Sequence, residues 1–383
     1  MSQMFQRIGY SATTWSIGDL SNWKIQNATI MDHIFYESGY NATTWNIGDI
    51  SNWDTSKAAN MGWMFYNAGK TDTTWELNLE KWNIEKVNDR RGFAGGISEK
   101  IKQPKWNNGK TYYVVYSEDD NSLRFYNTKI ETGSIHNELT ATAVYEVYEK
   151  YIFSGTYDIP WFNYRENITK VIFEDEIELS GTAYLFYELK NCVSFNLEKL
   201  NKTHITDMTY MFGYAGYNID TDFELNLSGW DISNVTSTRY MFYHTGYNAK
   251  NKFSIDVSGW DTSKLTSANR MFYSAGYNAN IFEINISNWS VSELSNIEEM
   301  FYQTGYSAEN FNIMGLNDWY LKEALNVNRM FAYAGYNADY SLDLSNWTTC
   351  KVTIGNAYDG FDAGVENKII EPDWYKGGCT TGG

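Results

Sequence analysis

The sequence predicts an α/β repeat protein: a leucine-rich-repeat-like solenoid of about 30-residue helix–strand units, in two arrays separated by a small β module. Three observations predict it. A Met-Phe pair returns at a fixed step, a tryptophan keeps the same beat, and the apolar spacing between them switches from helical to strand-like.

The marker pair, or a close relative, falls at Met4-Phe5, Ile34-Phe35 and Met64-Phe65, then at Leu185-Phe186, Met211-Phe212, Met241-Phe242, Met271-Phe272, Met300-Phe301 and Met330-Phe331. The steps within each group are 30 and 30, then 26, 30, 30, 29 and 30. Trp23, Trp53 and Trp82 follow the first group, and Trp230, Trp260, Trp289, Trp319 and Trp347 the second.

A helix is expected around each marker. Four or five residues ahead of it stands an N-cap type of residue: Thr29, Thr206, Thr236, Thr266, Ser295 or Asn326, with Ala59 as the exception. Apolar residues then recur at helical spacing, as in Ile205, Met208, Met211 and Phe212. Five residues after the marker, eight units carry a glycine (Gly9, Gly39, Gly69, Gly216, Gly246, Gly276, Gly305 and Gly335), which suits a left-handed C-cap.

A strand is expected next. After a Gly-Tyr-Asn turn, Phe223, Leu225 and Leu227 alternate with polar residues, as do Phe253, Ile255 and Val257. Three units hold one extra residue before the tryptophan, with Gly18, Gly48 or Gly315 in the gap, which reads either as a β-bulge or as an irregular loop. One helix and one strand cannot enclose a core alone, so stacked copies must seal one another, with the Met, Phe and Trp positions inside.

These elements divide the chain into a first array over 1–97, a small β module over 98–160, an opening cap with the second array over 161–357, and a C-terminal tail over 358–383. Tyr112 to Tyr116 and Leu123 to Tyr126 read as a hairpin, and Thr142 to Tyr148 as a further strand. The first array opens at mid-unit, which calls for upstream sequence, a neighbouring subunit or swapped pairing to cover it.

The stretch Ile205-Thr206-Asp207-Met208-Thr209-Tyr210-Met211-Phe212, with Leu-Ser-Asn-Trp at Leu344 to Trp347, resembles the BspA-like leucine-rich-repeat surface proteins of bacteria. The segments Val114 to Tyr126 and Pro160 to Phe173 look like the module that often precedes such repeats. The resemblance covers most of the chain. It implies a repeat fold and cell-surface adhesion or host contact, and similar repeats also occur in virion proteins. The N-terminus lacks the apolar stretch of an export signal, which departs from that pattern.

The composition narrows the function. A net charge of −17 argues against nucleic acid and against an anionic membrane surface. No apolar run is long enough to insert in a membrane. The three cysteines, Cys192, Cys350 and Cys379, make neither a disulfide framework nor a zinc motif, although Cys350 and Cys379 could pair in an oxidising environment. His33, His136, His204 and His244 share no motif, and no phosphate loop or nucleophile elbow is present. Asn218, Asp220 and Asp222 are oxygen-rich but lack calcium-loop spacing, and turn chemistry accounts for them. No catalytic residue, metal site or cofactor is expected.

The candidate ligand-binding residues are Tyr36, Tyr66, Tyr243, Tyr273 and Tyr302, each two residues past a marker, where Gln6, Gly213 and Ala332 also occur. Stacked copies would align these tyrosines into a ladder suited to recognition, because tyrosine offers a large amphipathic contact area at low entropic cost. The Gly-Tyr-Asn tyrosines, being more regular, are expected to pack. The expected function is a non-catalytic binding or adhesion protein, extracellular or on a bacterial cell surface, holding a protein or glycan partner on a host or neighbouring cell. The alternative is a virion structural protein, a phage fibre or capsid decoration, which associates with copies of itself or with a neighbouring virion subunit.

Overall fold

The computed structural model describes residues 1–87, 89–90, 92–104, 110–148, 155, 159–317, 319–349, 352 and 359–372. Cys350, Cys379 and the glycine-rich tail from 377 lie outside the described residues. Cys192 is a buried free thiol.

The helix half of each predicted unit is not formed. Among the described residues there is no α-helix, and the helical segments are the three-residue 3-10 turns Ser98–Lys100 and Phe162–Tyr164. The helix–strand repeat is therefore overturned in favour of an all-β, turn-and-strand coil.

Backbone hydrogen bonds give the reason. In the coil that starts at Thr238, the N–H groups of Met241, Tyr243 and Thr245 donate three residues back, to Thr238, Tyr240 and Phe242. The intervening N–H groups, of Thr238, Tyr240, Phe242 and His244, donate instead to Ser267, Asn269, Met271 and Tyr273 of the next coil. An α-helix would send every N–H four residues back within one segment. Here half of them form a parallel ladder between coils, and the rest close overlapping turns. Tyr240 and His244, third in their turns, have φ of +56° and +54°, the sign that a type II turn needs and an α-helix forbids. This ribbon of turns buries positions three and four residues apart, as a helix does, so Met208, Met211 and Phe212 read as helical.

The supposed cap residues also serve the ladder. The hydroxyls of Thr236, Thr266 and Ser295 each donate to the carbonyl of the residue one coil earlier, Thr206, Thr236 and Thr266. The marker glycine does take the left-handed conformation, but to end a turn and admit a ring. At Gly246, φ is +55° and a Cβ would stand 2.8 Å from the Phe253 ring.

The strand half is formed. Phe223–Asn226, Lys252–Asp256, Ile281–Asn285 and Asn310–Met314 make a four-stranded parallel sheet, with Phe223, Phe253, Phe282 and Phe311 side by side. Gly18 and Gly48 fall beyond the strands Thr14–Ser16 and Thr44–Asn46, so of the two readings offered above the extra residue lies in an irregular loop.

The chain divides into two compact units, one of Met1–Lys110 with Ile152–Pro160 and one of Thr111–Tyr151 with Trp161–Gly383. In the first, Trp15 pairs with Trp45 across parallel strands, and Phe5, Phe35 and Phe65 stack at 5.5 and 5.3 Å. Met4 and Trp23 of its first coil are exposed, because a coil at the edge of a stack is covered on one side only. In the second, Thr111–Ser117 pairs antiparallel with both Ser122–Tyr126 and Ala143–Tyr148. Lys170–Phe173 then joins Ser122–Tyr126 in parallel, and Ser194–Asn196 joins it in turn. One five-stranded sheet thus converts a hairpin edge into the parallel ladder on which later coils build.

Three aromatic columns fill the interior. Phe212, Phe242, Phe272, Phe301 and Phe331 stack at 5.2 to 5.5 Å. The strand phenylalanines form a second column, and Trp260, Trp289, Trp319 and Trp347 a third, at 5.9, 6.4 and 5.4 Å. Each buried ring contributes about 1.5–3 kcal/mol by leaving water, plus about 1 kcal/mol from offset stacking. The indole N–H of Trp260 donates to the Leu227 carbonyl and that of Trp289 to Val257. Trp319, in the coil with the extra Gly315, has a buried Nε1 without a partner.

Two lysines occupy equivalent places. Lys100 Nζ donates to the carbonyls of Gly69, Lys70 and Asp72, and Lys368 Nζ to those of Gly335, Tyr336 and Ala338. In the body of the stack the carbonyl corresponding to Tyr336, that of Tyr306, receives Asn337 N–H of the following coil. The ammonium thus supplies the donors that another coil would bring. Phe93-Ala-Gly-Gly-Ile-Ser-Glu-Lys-Ile and Phe361-Asp-Ala-Gly-Val-Glu-Asn-Lys-Ile are two copies of this cap.

Candidate functional site

The residue before the marker pair, and each of those two, three and six places after its first member, is at least partly exposed in most coils, while the pair itself is buried from the second coil on. The turn ribbon dictates this. It places successive outward positions one coil apart in register, so identical side chains stack.

The predicted candidates fall into two ladders, one in each unit. Tyr36 stacks on Tyr66 at 5.0 Å, and Tyr66 is buried. Tyr243 stacks on Tyr273 at 5.0 Å and Tyr273 on Tyr302 at 4.6 Å, all half-buried.

Other rows flank the second ladder. Tyr184, Tyr210 and Tyr240 form one at 5.1 and 4.5 Å. It gives way to charge where Arg270 ion-pairs with Glu299, and Arg329 approaches the same carboxylate. Arg270 also donates to the Tyr240 hydroxyl at 2.6 Å. The outermost row is Tyr217, Tyr247, Tyr277, Tyr306 and Tyr336, spaced at 4.9, 4.7, 4.8 and 4.9 Å. Edge-on contacts, such as Tyr214 with Tyr243, knit the rows into one aromatic face. Sequence reasoning missed the Tyr184 row, although its spacing of 26 and 30 residues was visible, and Tyr214, whose equivalents Glu188 and His244 are not tyrosines.

His244 sits within this face, stacked on Tyr214 at 5.1 Å and edge-on to Tyr243 at 4.3 Å. Its Nδ1 is buried without a hydrogen-bond partner, and burial lowers its pKa to about 4. Burial likewise raises the Tyr214 phenol to about 12 and shifts Tyr210, Tyr243 and Tyr273 in the same direction. The tyrosine and imidazole groups are therefore neutral near pH 7, and this part of the face offers hydrogen-bonding hydroxyls rather than charge.

The remaining singled-out residues serve local structure. His33 lies 3.0 Å from Asp32, His204 lies 3.1 Å from Glu178, and His136 is edge-on to Tyr126. Asp222 accepts the backbone N–H of Lys252 in the next coil. Among the described residues no group of three or more His, Cys, Asp or Glu is placed to hold a metal ion.

No curated protein and no solved structure matches the chain. A family described as "Mycoplasma protein of unknown function, DUF285" matches residues 1–111, 180–305 and 247–364, the segments that hold the repeated coils. The chain belongs to this DUF285 family of repeat-containing proteins.

Proposed function

We propose that this protein is a non-catalytic binding protein of a bacterial surface, which holds a protein or glycan partner against its tyrosine face. The observation that carries the reading is the in-register aromatic face from Tyr184 to Tyr336, partly exposed and rich in neutral phenols, with charge entering one row at Arg270, Glu299 and Arg329. Tyrosine in such a setting combines a rigid apolar body with a hydroxyl, which favours recognition. The surface location and the finer kinship to BspA-like repeats belong to the same proposal. They rest on the motif from Ile205 to Phe212 and on membership of a repeat family.

The test is binding of the labelled full chain to intact bacterial and host cells. Saturable binding is expected, weakened at least tenfold by Tyr243→Ala combined with Tyr273→Ala in a variant whose circular dichroism is unchanged. Binding that ignores these substitutions, or no binding to any cell, would sink the reading.

A further inference from the structure

The outer tyrosine row has a polar companion. Directly after its five members come Asn218, Asn248, Asn278, Ser307 and Asn337. Asn248 Nδ2 donates to the Tyr217 carbonyl at 2.9 Å, Asn278 Nδ2 to Asn248 Oδ1 at 2.8 Å, and Ser307 Oγ to Asn278 Oδ1 at 3.4 Å. A short ladder of polar side chains, Asn248, Asn278 and Ser307, thus runs beside the ladder of phenols with the same period. Neither row contains a charged residue, in a chain of net charge −17.

We propose that this double row binds a linear, uncharged polysaccharide lying along the stacking axis, one sugar per coil. The inference rests on the binding function proposed above and names its ligand class.

Charge supports it first. Apart from Lys368 at one end, whose ammonium is spent on the Gly335, Tyr336 and Ala338 carbonyls, the rows hold no cation to meet a phosphate or uronate and no anion to meet a basic ligand. Phenols and carboxamides both donate and accept, as sugar hydroxyls and acetamido groups do. Ring geometry adds a constraint. Because the rings lie nearly parallel, with interplanar angles of 21°, 9°, 2° and 9°, their faces are spent on one another. A ligand therefore meets ring edges, hydroxyls and amides, and Tyr336, exposed at the end of the row, offers a face to a terminal sugar.

Period decides between ligands. The rings are 4.7 to 4.9 Å apart, slightly less than the rise per sugar of an extended β-1,4-linked glycan. Successive sugars of such a chain turn alternate edges to the row but carry hydrogen-bonding groups on both edges. An extended polypeptide presents same-face side chains about every 6.7 Å, so it would slip about 2 Å against each coil and lose register by the third.

The experiment is calorimetric titration of the full chain with chito- and cello-oligosaccharides of one to seven sugars, and with oligogalacturonate as the charged control. Affinity is expected to rise roughly fivefold per sugar, one net hydrogen bond each, up to five sugars and then level off. Tyr247→Phe with Tyr277→Phe keeps the stack and removes two hydroxyls, and should weaken the five-sugar ligand about tenfold or more. No binding of any neutral oligosaccharide, affinity independent of length, equal binding of oligogalacturonate, or indifference to the Tyr→Phe pair would each overturn the inference. Cell binding that persists without oligosaccharide binding would refute the glycan alone and leave the binding function standing. Loss of both would refute both.

Discussion

At the scale of the residue, the interior depends on rings that have no substitute. Phe272 is fully buried and stacked between Phe242 and Phe301 at 5.2 and 5.5 Å. Phe272→Ala is expected to cost about 3–5 kcal/mol, read as a lower denaturant midpoint, because the two flanking rings limit collapse into the cavity. His244 supplies a pH effect with a definite sign. Its imidazole titrates at about 4 when folded against an ordinary value of 6.5, so falling pH protonates the unfolded chain first. Its contribution is intact above about pH 6.5 and is lost progressively down to about pH 4. His244→Gln should flatten that part of the stability curve, and urea melts of both proteins at pH 7, 5.5 and 4.5 would show it; parallel curves would refute the assignment. The marker phenylalanines and the glycines of positive φ were legible from recurrence alone. His244 was not: as a lone histidine in a turn it showed no motif, and its burial comes from tyrosines one coil away on either side.

At the scale of the element, spacing fixed which positions face inward but not which hydrogen bonds hold them. Met208, Met211 and Phe212 satisfy an α-helix and a ribbon of turns equally well over so short a span. The two differ in where alternate N–H groups go, and here those go to a coil about 30 residues distant. The lysine caps were equally hidden, since each works by reaching three carbonyls roughly 30 residues back. Lys368→Met should destabilise the protein by about 2 kcal/mol, because the Tyr336 and Ala338 carbonyls lose their charged donor while Gly335 keeps only the Ala338 N–H. Hydrogen exchange is expected to localise the loosening to the coil around Gly335 to Ala338. Protection unchanged there would show that the ammonium contributes nothing to closing the stack.

At the scale of the whole molecule, each coil contacts chiefly the coils before and after it, so stability accumulates by neighbours. Deleting residues 247–276, one full period, should leave a folded protein with unchanged circular dichroism per residue and a lower Tm. Deleting half as many from the same starting point should unfold the stack, because every ladder then falls out of register. Failure of the full-period deletion to fold would count against interchangeable coils. The sequence by itself determined the period, the inward-facing residues, the strand positions and the rows in which tyrosines recur, because each follows from repetition and alternation along the chain. Only the tertiary structure decided that the other half of the coil is a ribbon of turns and that a lysine closes each array. It also decided that the tyrosine rows merge into one face, because all three depend on partners a full coil apart that no local pattern encodes.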